Sequence, residues 1–248
     1  MPACSAAAIF DLAPTGKLRA AINFGNNLLT AKDPATGEPR GIAIDLAREL
    51  GRRLGVPVEI VGYDSPGALA DAVKTGVWDV GFIGAEPQRA KEIDFTPAYV
   101  EIEATYLVPA GSALRAIADV DREGVRIAVL ARSAYELYLR RSLQRAQLVA
   151  EQNFDSTFQR FVTDRLEALA GLRPQLVTDA AKLPGSRILD GRFTAVQQAV
   201  GTPKSRAAGA ECLREFVADI KATGLVARTI EKNGIRGVSV AAAAPLQQ

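Results

Sequence analysis

Apolar positions along the chain switch between two spacings. Leu18-Arg-Ala-Ala-Ile-Asn23 is a short apolar run that stops in the turn-prone Phe24-Gly25-Asn26-Asn27, which predicts a first strand. A polar segment with Asp33-Pro34 and Thr36-Gly37 reads as a surface hairpin. Beyond it, Ile42, Leu46, Leu50 and Leu54 recur at helical spacing, and Gly55 then Pro57 close that helix. Residues 58–61 form a second strand, 66–74 a helix and 78–83 a buried third strand. Strand, helix, strand, helix, strand in that order predicts a parallel sheet with right-handed crossovers.

The pattern then starts again. Residues 105–109 are extended and lead into Gly111-Ser112, after which strands at 125–130, 146–150 and 166–170 alternate with helices at 134–143, 154–162 and 174–181. Two copies of one architecture predict an α/β protein of two doubly wound lobes joined near 105–112. Residues 193–200 read as the return crossing, and helices at 207–222 and 224–232 are expected to pack back on the first lobe. The expected division is 17–107 plus 198–236 for lobe 1 and 108–197 for lobe 2, with 1–16 and 237–248 as terminal extensions. Two crossings make a hinge, and a cleft between two such lobes is a common ligand position.

Ligands of open parallel sheets sit beyond the carboxyl ends of the strands. That rule selects Asn23, Phe24, Asn26 and Asn27 after the first strand, Ser65 after the second, and Gly84, Ala85, Glu86 and Arg89 after the third. In the second lobe it selects Arg132, Ser133, Ala134 and Tyr135, and then Arg173. The stretch from Gly84 to Arg89 matters most. A strand ends in glycine, makes a turn containing Pro87 and presents one arginine, and backbone N–H groups freed by such a turn suit a carboxylate beside a guanidinium.

Composition narrows the chemistry. Thirty Lys and Arg against 28 Asp and Glu leave a net charge of +2 with both signs interleaved, which gives no basic patch for a phosphate backbone. No apolar run is long enough to span a bilayer, and residues 1–14 have neither a basic start nor a sustained apolar core. The chain is therefore expected to be cytoplasmic, or to have lost a signal peptide. The absence of histidine removes the usual general base and makes a metal site unexpected, and no cofactor is expected. Cys4 and Cys212 match no metal or redox spacing and read as a frayed terminal thiol and a helix residue, with Met-Pro-Ala-Cys4-Ser as a weaker lipid-attachment reading.

Three segments together resemble the bacterial extracellular solute-binding proteins of family 3. Gly41-Ile-Ala-Ile-Asp45-Leu-Ala resembles that family's G-F-D-I-D-L-A helix. Trp78-Asp79-Val80 resembles its x-D-hydrophobic strand. Pro87-Gln88-Arg89 through Asp94-Phe95-Thr96-Pro97-Ala98-Tyr99 resembles its P-E-R-x-x-x-x-D-F-S-x-P-Y segment. The resemblance runs from about Leu18 to about Asn233. It implies a type II periplasmic binding fold, with a monomer that traps a small carboxylate-bearing solute by hinge closure and hands it to an ABC permease in the inner membrane. It also implies a periplasmic home. Arg89 then grips the ligand carboxylate, the polar and aromatic groups after the first strand line the pocket, and Ser133 supplies a hydroxyl at a helix start that favours anions.

Departures from the family pattern bear on the ligand. Gly84-Ala85-Glu86 stands where a hydroxyl-rich S-G-x-T is usual, and Ala170-Gly171-Leu172-Arg173 lacks the acid that usually meets a ligand ammonium. An unpaired ammonium in a closed pocket is unfavourable, so either Glu86 substitutes or the ligand has no ammonium. Arg132 and Arg173 would suit a di- or polyfunctional carboxylate. Two alternatives stand beside transport. One is a dehydratase resembling the cyclohexadienyl dehydratases, which share this fold, with Glu86 as general acid; the other is a soluble ligand-sensing module.

Overall fold

The computed structural model describes residues 4–33 and 35–242. The chain divides into two compact units. One holds residues up to Glu101 and from Gln197 onward, and the other spans Ile102–Val196. The chain thus changes unit at 101/102 and 196/197. Each change falls inside a long strand.

The first unit begins with helix α1 (Ala6–Leu12), capped by Ser5, whose Oγ accepts from the Ala8 N–H at 3.1 Å. Strand β1 (Leu18–Asn23) follows, then the two-residue strands β2 (Ala31–Lys32) and β3 (Pro39–Arg40), which pair as a hairpin. Pro34, part of the hairpin expectation, lies outside the described residues. Helix α2 (Ile42–Leu54) buries Ile42, Leu46, Leu50 and Leu54, the positions that the helical spacing picked out. Gly41 starts it at φ 120°, where a Cβ would lie 2.5 Å from the Leu29 carbonyl oxygen, so only glycine fits. Gly55 ends the helix in the left-handed region.

Strand β4 (Val58–Tyr63), helix α3 (Pro66–Asp71), strand β5 (Val80–Gly84) and the short β6 (Ile93–Phe95) complete this half of the chain. Strands β4, β1 and β5 are parallel, with Asn23 level with Tyr63 and Ile22 level with Phe82. Their carboxyl ends therefore form one edge. Trp78, fully buried, packs with Leu69, Val73, Ile83 and Ile93, and its indole N–H donates to the Leu69 carbonyl at 3.2 Å.

Strand β7 (Val100–Val108) carries the chain into the second unit. There β8 (Arg126–Leu130), α4 (Ala134–Ser142), β9 (Gln147–Glu151), α5 (Phe154–Thr163), β10 (Ala168–Leu172), α6 (Arg173–Ala180) and the short β11 (Arg187–Ile188) follow in order. Strands β9, β8 and β10 are parallel, whereas β10 runs antiparallel to β7. Leu107, Ala128, Phe161, Leu166, Leu169 and Leu176 form the core. Strand β12 (Thr194–Pro203) returns the chain and pairs antiparallel with β5 and β6; helices α7 (Ala207–Ala222) and α8 (Leu225–Lys232) and the short β13 (Ser239–Val240) end the described chain.

Two findings depart from the reading of the chain's start as an extension carrying a frayed thiol. Cys4 and Cys212 form a disulfide, with Cα atoms 5.7 Å apart across a sequence separation of 208. Spacing along the chain gives no sign of a pair that only tertiary folding brings together. Helix α1 is also docked on α7. The Gly209 N–H donates to the Asp11 carboxylate at 3.0 Å, and a Cβ at Gly209 would meet Leu12 at 2.9 Å. Lipid attachment at Cys4 is incompatible with the disulfide, because its sulfur is already bonded.

Asp79, fully buried at the start of β5, is the electrostatic centre of the first unit. Arg19 on β1 grips it with two side-chain bonds of 2.9 and 2.7 Å, and Arg206, just before α7, adds a third at 2.6 Å. The Arg19 backbone N–H donates as well, at 3.0 Å. Burial alone would raise the Asp79 pKa, but the bonds from Arg19 and Arg206 outweigh it and hold the carboxyl below its ordinary value. Arg206 also donates to the Asp11 carbonyl, so the same cluster steadies α1.

Replacing Asp79 by Asn is expected to destabilise the protein by about 3–5 kcal/mol, because it leaves two guanidinium groups facing a neutral partner. A carboxyl with a depressed folded-state pKa contributes stability above the ordinary carboxylate pKa, about 4, and loses it as pH falls through the folded value. Denaturant midpoints from pH 7 to pH 2 should therefore fall less steeply in Asp79→Asn than in the wild type; equal slopes would remove Asp79 from the acid response. Reduction with dithiothreitol, or Cys212→Ser, should lower stability by about 2–4 kcal/mol in urea titrations. Unchanged midpoints with both thiols titratable would show that the bond contributes nothing.

Candidate functional site

The first unit's carboxyl-end edge is built from three loops. After β1, Asn23 Oδ1 accepts from the Gly25 N–H at 3.0 Å and Asn26 Oδ1 from the Leu28 N–H at 3.2 Å. Thr30 Oγ1 closes the loop by donating to the Asn26 carbonyl at 2.9 Å. Both asparagines hold the loop's own shape. A Cβ on Gly62 would meet the Phe24 ring at 2.9 Å, and the Lys32 ammonium lies 5.6 Å from the ring centroid. The ring is thus packed on β4 and capped by a cation. Asn27 is exposed. After β4, the Ser65 hydroxyl caps α3, accepting from the Ala68 N–H at 3.2 Å.

The third loop differs from its expected form. Its backbone donors are largely taken: the Ala85 N–H by the Gln197 carbonyl at 2.7 Å, the Gln88 N–H by the Glu86 carboxylate at 2.7 Å, and the Ala90 N–H by the Glu86 carbonyl at 2.9 Å. A shortened turn must satisfy its own N–H groups within a few residues, and Glu86 does so from both its side chain and its backbone. Glu86 is buried and braces the turn. Arg89 follows in a single 3₁₀ turn, Arg89–Lys91, and is only 7% exposed. Its Nη1 donates to the Gly84 carbonyl at 2.7 Å, which fixes the guanidinium at the end of β5. Gly84 and Ala85 present backbone there. Gln197 on β12 meets the same edge, a contribution that no local pattern marks.

In the second unit, Arg132 holds a left-handed backbone at φ 57°, and its N–H donates to the Glu136 carboxylate at 3.2 Å. This bend turns the chain from β8 into α4. Ser133 is the N-cap, its Oγ accepting from the Glu136 N–H at 3.1 Å, with Ala134 opening the helix. Tyr135 is turned into the unit, among Phe154, Thr157, Phe158, Leu176 and Asp179. Burial pushes its hydroxyl pKa up, against the opposing hydrogen bond with Ser133. Its ring packs α4 onto the core.

Arg173 is paired. Its Nε donates to the Glu103 carboxylate at 2.7 Å, and its guanidinium also donates to the Gly191 carbonyl. The sequence after β10 carries no acid, yet β7 supplies one. Leu172 pairs with Ala104, which brings Glu103 beside Arg173. Glu103 was missed because an acid on a neighbouring antiparallel strand leaves no mark in the loop it serves.

Residues 20–234 match the family described as bacterial extracellular solute-binding proteins, family 3. A glutamine-binding protein from Geobacillus stearothermophilus is 23% identical over 199 residues, covering 76% of this chain and 73% of that protein. Among solved structures, an ancestral amino acid-binding protein described as a precursor of cyclohexadienyl dehydratase is similar with a TM-score of 0.74 and 24% identity, over 90% of this chain and 98% of that one. A mutant form of ArgBP from T. maritima has a TM-score of 0.74 and 22% identity, over 91% and 98%. An amino acid ABC transporter substrate-binding protein from Streptococcus pneumoniae, bound to L-arginine, has a TM-score of 0.73 and 20% identity, over 89% and 95%. These likenesses give the fold as the type II periplasmic binding fold. With the match extending over most of its length, the chain belongs to the bacterial extracellular solute-binding proteins of family 3.

Proposed function

We propose that the protein is the solute-binding component of an ABC transporter, that it captures a small solute through a carboxylate held by Arg89, and that it delivers the solute to an inner-membrane permease. The observation that carries this reading is the Arg89 guanidinium, buried and anchored on the Gly84 carbonyl at 2.7 Å, at the carboxyl end of a parallel strand. A guanidinium is planar with five donors in a fork that matches a carboxylate, which makes this the side chain to which the reading assigns the grip. With the turn's backbone donors largely taken, the grip rests on that side chain. Around it, Asn23, Phe24, Asn26, Asn27, Ser65, Gly84, Ala85 and Glu86 are assigned to the same ligand face. In the second unit the reading assigns contacts to Arg132, Ser133 and Ala134. Tyr135 is assigned only a supporting role beneath them.

Relatives named for glutamine and arginine support a small polar solute. The Cys4–Cys212 disulfide suits an oxidising compartment, which supports the periplasm as the working location. One further reading has a specific observation behind it. Glu86 is a buried carboxylate on the same edge as Arg89, and one structural relative is described as a precursor of a dehydratase.

In a thermal-shift screen over amino acids, dicarboxylates and aromatic acids, a ligand at about 100 times its Kd should stabilise the wild type by about 2.7 kcal/mol. Arg89→Ala should abolish that shift while keeping a cooperative transition of its own, and an undiminished shift would remove Arg89 from the site. Incubation with prephenate or arogenate should yield no product. Turnover that disappears in Glu86→Gln would replace the transport reading with the dehydratase one.

A further inference from the structure

Helices α2 and α8 of the first unit flank a groove of about 330 Å³, lined by none of the residues assigned to the solute. Arg48 and Arg52 stand one turn apart on α2, Arg228 and Lys232 one turn apart on α8, and all four are exposed. Two acids share the groove, and both are engaged. Asp45 accepts from Lys232 and Asn233 at 3.1 Å each, and Glu49 accepts from Arg52 at 2.8 Å and from Arg53 at 2.7 Å. Arg52 and Lys232 stay 70% exposed while paired, whereas Glu49 and Asp45 are only 21% and 20% exposed, so the acids lie deeper than the cations. Arg48 donates to the Pro39 carbonyl at 3.3 Å and Arg228 to the Thr223 carbonyl at 2.9 Å; neither has a carboxylate within ion-pair distance among the described residues.

Four cations against two acids leave the groove positive, and Leu46 and Leu225 give it apolar surface as well. We infer that it is a docking surface for an acidic segment of a partner protein. The partner's Asp or Glu side chains meet Arg48 and Arg228, and apolar side chains between them meet the two leucines. Planar guanidinium forks match a carboxylate geometrically as well as electrically. A phosphate backbone fits worse, because its closely spaced charges face Asp45 and Glu49 along with the cations. Exposed ion pairs are individually weak and speed encounter more than they hold a complex, so the docking is transient.

Fluorescence anisotropy of the full chain with a labelled peptide of alternating Glu and Leu tests this. The peptide should bind with an affinity that falls as salt rises, and its Gln-for-Glu counterpart should bind at least about tenfold more weakly. Arg48→Gln/Arg228→Gln should lower the affinity for the acidic peptide by about tenfold, and Arg48→Lys/Arg228→Lys should keep most of it. Arg115→Gln/Arg145→Gln removes the same charge from exposed positions of the second unit and should leave binding unchanged; urea midpoints check each protein. A peptide that fails to bind, a Gln peptide that binds as well, or a second-unit variant that loses as much as the groove variant overturns the docking surface. Inorganic polyphosphate or phosphatidylglycerol vesicles that bind through Arg48 and Arg228 where the peptide does not would overturn it too. None of these outcomes bears on Arg89, which shares no residue with the groove.

Discussion

A carboxylate sealed from water must be answered by donors within hydrogen-bond reach, and the first unit is arranged around one that is. Asp79 immediately precedes β5, and the donors that answer it come from β1 and from the segment leading into α7. The Thr202 hydroxyl donates to the Asp79 carbonyl at 2.9 Å, which brings β12 into the same arrangement. Removing one charge from such a group is far more damaging than replacing all of it by apolar side chains, because the remaining charges keep their desolvation without their partners. The cluster lies at the amino end of β5 and Arg89 follows its carboxyl end. The strand thus spans the distance between a fixed ionic anchor and the residue proposed to hold the ligand.

That separation gives the two ends different roles. At the anchor, every charge is answered from within the protein. At the opposite edge, Asn23, Asn26, Ser65 and Glu86 hold the loops in shape through their own backbones. Loops with satisfied donors and acceptors do not need a ligand to become ordered, so little binding energy is lost in arranging them. The second unit repeats the scheme at the start of α4, where the Arg132 bend and the Ser133 cap fix the strand-to-helix turn.

The fold was legible because it is written in local periodicity. The helix over Ile42, Leu46, Leu50 and Leu54 and the buried run that became β5 emerge close to where spacing puts them. Arg89 was singled out for a related reason, since position after a strand and a resemblance pointed to the same residue, and the structure adds that it is buried and anchored on the Gly84 carbonyl. What escaped was long-range pairing. The Cys4–Cys212 bond joins residues 208 apart, and Glu103 reaches Arg173 only through the register of two antiparallel strands. The donors of the Gly84–Arg89 turn escaped for a different reason. Whether an N–H is free depends on what else folds against it, and Gln197 arrives from the far end of the chain.

The disulfide divides the chain into what is inside a covalent ring and what is not. Every strand of the parallel sheets, from β1 to β10, lies between Cys4 and Cys212. A single peptide-bond cut at any exposed loop within that span leaves both pieces joined through sulfur while solution stays oxidising. Helix α8 and β13 have no such tether. The bonds from Lys232 and Asn233 to Asp45, each 3.1 Å, are among the non-covalent contacts between the α8 end and α2. Proteolysis would therefore act unequally on the two parts, with β1 to β12 staying in one covalent piece and only the segment beyond Cys212 open to release by a single cut.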